Sequence, residues 1–252
     1  MEGPPADGDC SFGPWQISSR RSPILKSNEA ESLEKELGIP LPEMLFGDTN
    51  LTIHNKEHDF KIVFCAKDAL KLVDNEKDLM KVAVAEAWQE SRKDCEYIKN
   101  VIRPFDWTYT TAYKGTIVND TNVTEKMTEE RIDVEKLKKK ERIHFYTDLI
   151  LFEDELGDNG ISKMNVKMRV MPLSFFVLLR FFLRVDDVLI RIYDTRIFHE
   201  AGTNYILREY SAKEKKIKDL RNPLADENIL VDDLDCIHEE FAKIIFEPSV
   251  ER

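Results

Sequence analysis

The stretch Val166–His199, VKMRVMPLSFFVLLRFFLRVDDVLIRIYDTRIFH, is the densest apolar region of an otherwise charged chain, and its reading decides the fold. Phe175–Leu183 contains Arg180 and falls well short of the roughly 20 apolar residues a membrane-spanning helix needs. Its Phe and Val content, with turn-forming residues at either end, reads as β-strand. With Asp186-Asp187 as a two-residue hairpin turn, Phe175–Val185 and Val188–Asp194 become paired strands. Alternation then puts Phe175, Val177, Leu179, Phe181, Leu183 and Val185 on one face, joined by Val188, Ile190 and Ile192. That face is the expected core. The other face carries Phe176, Leu178, Arg180, Phe182 and Arg184, with Leu189, Arg191 and Tyr193. Such a mixture needs an acidic or apolar cover, and Glu153 and Glu155, on one face of a preceding strand, are the expected carboxylates.

Outward from the hairpin, short turns connect further strands. Leu149–Leu156 leads through Gly157–Gly160 into Ser162–Met171, and Arg196–His199 pairs with Tyr205–Tyr210 around Gly202-Thr203. Leu51–His54 and Phe60–Cys65 form a hairpin, and Asp106–Thr111 and Tyr113–Val118 form another strand pair. Helices are expected over Glu29–Leu37, stopped by Gly38, then over Val82–Tyr97, Ile132–Phe145, Ser211–Leu220 and Asp232–Phe246, with a helical turn at Asp68–Val73. Asn119–Glu130 reads as an exposed loop. Turns too short for parallel crossovers make the sheet antiparallel. The expected class is α+β, a layered, mainly antiparallel sheet with helices packed around it. One domain covers residues 12–248, between a disordered N-terminus over 1–11 and a tail over 249–252.

Apolar residues make up 42% of the chain, enough for a substantial core. The net charge of -11 argues against general nucleic-acid binding, which phosphate contacts dominate. MEGPPADGDC has neither the basic region nor the apolar run of a secretory signal. Cys10, Cys65, Cys95 and Cys236 are scattered without CxxC spacing, as in a reduced cytosolic protein, so the two Asn-x-Thr sequons at Asn119 and Asn122 are read as chance.

Signals for chemistry are sparse. His54 and His58 stand four apart beside Glu57 and Asp59, which could begin a divalent-metal site, but no third ligand is near and a solvated loop is the simpler reading. A metal-dependent hydrolase using His54, His58, Glu153 and Glu155 is one alternative. A phosphate-binding or RNA-binding module using Arg180, Arg184 and Arg191 is another. No G-x-S-x-G, G-x-x-x-x-G-K-[ST] or G-x-G-x-x-G is present. Catalysis is not the expectation.

A set of longer segments is more specific. FGPW (12–15), LPEMLFGD (41–48), AWQESR (87–92), RPFDWTYTTAYKG (103–115), IDVEKLK (132–138), LFEDEL (151–156), VKMRVMPLSFFVLLRFFLRVDDVLIRIYDTR (166–196) and LREY (207–210) resemble the TIPRL family, the TOR signalling pathway regulator-like proteins. The resemblance spans roughly residues 12–246. It implies a non-enzymatic regulator, without cofactor, that binds catalytic subunits of type 2A protein phosphatases in TOR signalling. It further implies a cytoplasmic protein, with the nucleus as a second compartment, monomeric when free and engaging neither nucleic acid nor membrane. It points to Asp68, Ile132, Ile192 and Asp194 as partner-binding residues. Asp68 also reads as a helix cap, Ile132 as a hydrophobic staple and Ile192 as a core residue. Asp194, leaving the ladder at its end, is expected at an exposed rim.

Overall fold

The computed structural model describes residues 8–73, 108–119, 121, 123–223 and 225–246. Thirteen strands lie along these residues: β1 (Gly8–Phe12), β2 (Trp15–Arg20), β3 (Met44–Leu45), β4 (Asn50–Asn55), β5 (Phe60–Cys65), β6 (Thr116–Val118), β7 (Val123–Met127), β8 (Phe145–Asp154), β9 (Gly160–Val170), β10 (Ser174–Val185), β11 (Leu189–Glu200), β12 (Tyr205–Lys216) and β13 (Asp235–Phe246). Four α-helices accompany them: α1 (Ser27–Leu37), α2 (Ala66–Leu70), α3 (Val134–Lys138) and α4 (Glu227–Asp233). All strand pairs are antiparallel. One sheet has the order β1-β2-β4-β5-β6 and the other β3-β8-β9-β10-β11-β12-β13-β7. The α+β class with layered antiparallel sheets is therefore the observed one.

The two sheets share one hydrophobic core. Ile17, Leu51, Ile53, Phe60, Ile62 and Phe64 from the smaller sheet meet Phe175, Val177, Leu179, Phe181 and Leu183 from β10, all buried. Trp15 joins the layers, its ring lying 5.6 Å from Phe60, 5.3 Å from Phe175 and 5.7 Å from Phe246. Residues 108–115 run between them. Thr111 Oγ1 donates to the Ala69 carbonyl, the Tyr113 hydroxyl to the Val63 carbonyl, and Ser162 Oγ to the Thr108 carbonyl.

The β10–β11 hairpin is present, and the apolar face of β10 is as expected. The register differs by one residue. Val185 pairs with Leu189, not Val188, so the turn contains Asp186, Asp187 and Val188, with Asp187 at φ 60°. A short polar side chain tolerates the left-handed conformation that a three-residue hairpin turn requires. A one-residue slip moves every β11 side chain to the other face. Leu189, Arg191, Tyr193, Thr195 and Ile197 thus line the inner face with Leu183, Phe181, Leu179 and Val177. Ile190, Ile192 and Asp194 join Arg184, Phe182 and Arg180 on the outer face.

Other expectations also need correction. Ser211–Lys216 continues β12, and Asp235–Phe246 is β13, not a helix. Ladder pairing on both sides of β12, and of the C-terminal half of β13, overrides the helix-like apolar spacing of Leu234, Ile237 and Phe241. Val123–Met127 is a strand on the edge of the large sheet, not a loop. The expected helix over Ile132–Phe145 shrinks to the single turn α3, and residues 108–111 form no strand. Residues 8–11 belong to β1 and are not disordered. The expected helix Val82–Tyr97 and the segment AWQESR lie outside the described residues.

Candidate partner-binding face

The outer face of the large sheet is covered at two ends by short elements. At one end, α4 lays Leu230, Val231 and Leu234 over Phe182, Ile190 and Ile192, all buried. Asp226 starts this helix by accepting the backbone N–H of Asn228 at 2.9 Å. At the other end, Ile132 packs with Phe198 and Leu207, flanked by Leu137, Phe176 and Tyr205. Glu209 Oε1 accepts the Ile132 backbone N–H at 2.8 Å and Arg131 Nε at 3.1 Å, while the Arg131 guanidinium lies over the Phe241 ring. Asp133 caps α3 through the backbone N–H groups of Glu135 and Lys136.

Between these apolar clusters sits a buried ion pair. Arg180 Nε and Nη2 donate to the two oxygens of Asp194, each at 2.7 Å, and Nη1 donates to Asn228 Oδ1 at 2.9 Å. Arg180 is 4% exposed and Asp194 1%. Burial works against the charged guanidinium, but the hydrogen bonds and charge of Asp194 outweigh it and hold the Arg180 pKa above its ordinary value. Arg196 Nη2 lies 3.7 Å from Asp194 Oδ2 and its side chain is about a third exposed, so one face of this charge cluster reaches solvent.

Three of the four sequence-nominated residues, Ile132, Ile192 and Asp194, therefore project to one face. The expected exposure of Asp194 is corrected: the register slip places it opposite Arg180 inside the covered layer. Ile192 is buried as expected, but under α4 and not in the core between the sheets. Asp68 lies elsewhere, in α2 beside the smaller sheet. Its Oδ2 accepts the Thr116 hydroxyl at 2.7 Å and its Oδ1 sits 3.5 Å from Lys71 Nζ. Burial pushes its carboxyl up, yet the Thr116 and Cys65 hydrogen bonds and Lys71 leave it lowered overall. It does not cap its helix, because α2 begins after Cys65.

The other nominated clusters resolve differently. Arg180, Arg184 and Arg191 pair with Asp194, Asp186 and Glu214, not with Glu153 and Glu155. They do not share a face, since Arg191 lies beside Leu183. His54 bonds Asp59, and the His58 ring packs 5.0 Å from Phe246. Among the described residues no group of three or more His, Cys, Asp or Glu is placed to hold a metal. Sequence reasoning missed Asn228, Glu209 and Arg196. Asp226 followed by Ile229, Leu230, Val231 and Leu234 was a legible capped amphipathic turn, whereas the roles of Glu209 and Arg196 depend on long-range pairing.

The described residues thus form a layered antiparallel protein whose outer sheet face carries two covered apolar clusters around a buried ion pair. Comparison with known proteins places it: residues 44–221 match the TIP41-like family, and the chain belongs to that family. It is 52% identical over 214 residues to the TIP41-like protein of Homo sapiens, covering 84% of this chain and 78% of that one. It is 42% identical over 226 residues to the type 2A phosphatase activator TIP41 of Saccharomyces cerevisiae, covering 83% of this chain and 64% of that one. The type 2A phosphatase activator tip41 of Schizosaccharomyces pombe is 36% identical over 249 residues, covering 94% of this chain and 98% of its own.

Proposed function

We propose that this protein is a non-enzymatic regulator of type 2A protein phosphatases that acts by binding their catalytic subunits, within TOR signalling. The observation that carries the reading is the extent of identity with two relatives named for type 2A phosphatase activation, over more than four-fifths of this chain. The geometry supports the outer sheet face as the contact. The Ile132 cluster and the Ile192 cluster flank the ion pair, and Arg196 offers a cation between them. In this reading Ile132, Ile192 and Asp194 act by holding the face in shape, since each is buried. Arg196 makes direct contact, and Asp68 contributes to a separate rim of the interface. Partly exposed charges of this kind set specificity and association rate more than raw affinity.

The test is calorimetric titration of a purified type 2A catalytic subunit into wild type, Arg196→Glu, Arg196→Gln, Asp194→Asn and Asp68→Asn. Arg196→Glu should weaken binding at least tenfold and also lower the thermal midpoint, because it sets a carboxylate beside Asp194 and opposite Glu209, whereas Arg196→Gln should weaken binding while the midpoint stays near wild type. Asp194→Asn should weaken both binding and folding, and Asp68→Asn should weaken binding with only a small loss of stability from its contacts with Thr116 and Lys71. Wild-type affinity for Arg196→Glu at low salt would remove the outer face from the interface. Absence of binding by wild type would remove the phosphatase reading itself.

A further inference from the structure

Between β2 and α1 the chain reads Arg21-Ser-Pro-Ile-Leu-Lys26, and Ser22-Pro23 is the one Ser-Pro or Thr-Pro step in the whole sequence. This segment is neither helix nor strand, and Arg21, Pro23, Ile24 and Lys26 are exposed around a half-buried Ser22. A proline biases the residue before it toward extended backbone, the form in which a peptide lies in a protein kinase groove. It also withholds a backbone N–H. Kinases that bond this N–H reject a proline after the acceptor, whereas proline-directed kinases accept its ring. The Ser22 backbone is held in place by its N–H, which donates to Thr49 Oγ1 at 2.9 Å. Its hydroxyl stands 3.3 Å from the same atom, longer than an ordinary hydroxyl bond, so Oγ is available to react.

Ser22 stands on the wall of an open cavity of about 360 Å³. That is more than ten times the roughly 30 Å³ of a water molecule in the liquid, and leaves room for a phosphoryl group. The charged residues on the wall are Arg21 and Asp148. The Asp148 carboxylate is paired already, with Lys167 Nζ lying 3.1 Å from its Oδ2. Arg21 Nη2 donates to the Asp148 backbone carbonyl at 2.6 Å, a bond that ties the end of β2 in the smaller sheet to β8 in the larger one. A phosphate monoester carries about −1.5 to −2 charge at neutral pH and is a stronger acceptor than a neutral carbonyl. On Ser22 it competes with Asp148 for this guanidinium.

We propose that Ser22 is a phosphorylation site for a proline-directed protein kinase, and that its phosphate lodges in this cavity against Arg21. Ser22 Oγ attacks the γ-phosphorus of the nucleoside triphosphate that the kinase holds. The new O–P bond forms as the bond from that phosphorus to the β,γ-bridging oxygen breaks. The nucleoside diphosphate leaves, and the hydroxyl proton passes to the base of the kinase. Because Arg21 changes acceptor, the tie between the two sheets becomes dependent on phosphorylation. The inference does not depend on the phosphatase reading.

The full folded chain is incubated with a purified cyclin-dependent kinase, a proline-directed class that favours basic residues such as Lys26 after the proline, and with magnesium and ATP. Products are followed by intact mass and by phosphorus-31 NMR. Wild type should gain a single phosphate. Ser22→Ala should gain none while keeping the wild-type thermal midpoint, since the N–H bond to Thr49 is retained. Pro23→Ala should be phosphorylated at least tenfold more slowly. The phosphoserine should titrate below the value of about 6 usual for its second ionisation, because Arg21 favours the dianion, and Arg21→Gln should bring it back to that value. A folded wild type that takes no phosphate, phosphate on another residue in its place, or an equal rate for Pro23→Ala would overturn the site. A titration unaltered by Arg21→Gln would overturn its contact with the cavity wall.

Discussion

Arg180 and Asp194 stand directly opposite each other in adjacent strands, and their side chains close two 2.7 Å hydrogen bonds beneath a helix that adds a third through Asn228. With both residues almost wholly buried, the pair is a position where each partner is needed to neutralise the other. Asp194→Ala should destabilise the protein by about 3–5 kcal/mol, because it strands a buried guanidinium. Arg180→Met combined with Asp194→Leu should recover most of that loss, because neither charge then remains. Urea denaturation of Arg180→Met, of Asp194→Leu and of the double variant, beside Asp194→Ala, checks this. A double variant less stable than either single one would contradict it.

The same ion pair shows where sequence reading stopped. The alternation over Phe175–Val185 in β10 was legible because one side of it is purely apolar and buries completely. The turn that follows was not, since Asp-Asp suits a two-residue or a three-residue turn, and the choice flips every residue of β11. Asp194 was looked for at a rim because the strand was read as ending there, whereas β11 runs on to Glu200 and keeps Asp194 inside. The second half of β12 and all of β13 were hidden for another reason: Ser211–Lys216 and Asp235–Glu240 are mostly polar, and their strand character comes from neighbours and not from their own propensity. The candidate face was legible as a set of residues, three of whose four members do share a surface, but the device that joins them lies in pairings between strands and in α4.

Gly160 opens β9 at φ 151°, and a Cβ added there would lie 2.0 Å from the Arg184 carbonyl oxygen. That neighbour is backbone in the ladder and cannot rotate away. Gly160→Ala should therefore cost more than about 2 kcal/mol, well beyond the usual effect of a surface substitution. Gly202→Ala makes the contrasting case: its φ is also positive, but the added Cβ meets nothing within 4 Å. It should cost only about 1 kcal/mol, from backbone conformation alone. Thermal midpoints of both variants measured together separate steric overlap from strain.

His199 is buried against Phe12, Trp15, Phe175 and Phe246 and shares Nδ1 with the Tyr205 carbonyl. Burial depresses its pKa, and the Tyr205 carbonyl and Glu200 offset this only in part. A group with a depressed folded pKa that must charge on acidification binds more protons when unfolded. Stability is therefore full above the ordinary histidine pKa of about 6.5 and falls as the pH drops below it, until the folded pKa is reached. His199→Gln should lower stability at pH 7.5 yet flatten the decline between pH 7 and pH 5. Equal slopes for wild type and variant would assign that decline to other groups.

Asp187 holds the left-handed conformation, at φ 60°, on which the three-residue turn and hence the register of β11 depend. Asp187→Gly removes the steric cost of that conformation and should be neutral or stabilising by up to about 1 kcal/mol. Asp187→Val puts a β-branched side chain where it is least tolerated and should cost about 1–3 kcal/mol. Deleting Val188 is the sharper test. It leaves Asp186-Asp187 as a two-residue turn and keeps Val185 opposite Leu189, so every later pair of the β10–β11 ladder, Arg180 with Asp194 included, is retained. The cost is then confined to the turn, where both aspartates have to hold positive φ, and should be about 1–3 kcal/mol in urea denaturation. A far larger loss would mean that the three-residue turn itself fixes the register of β11.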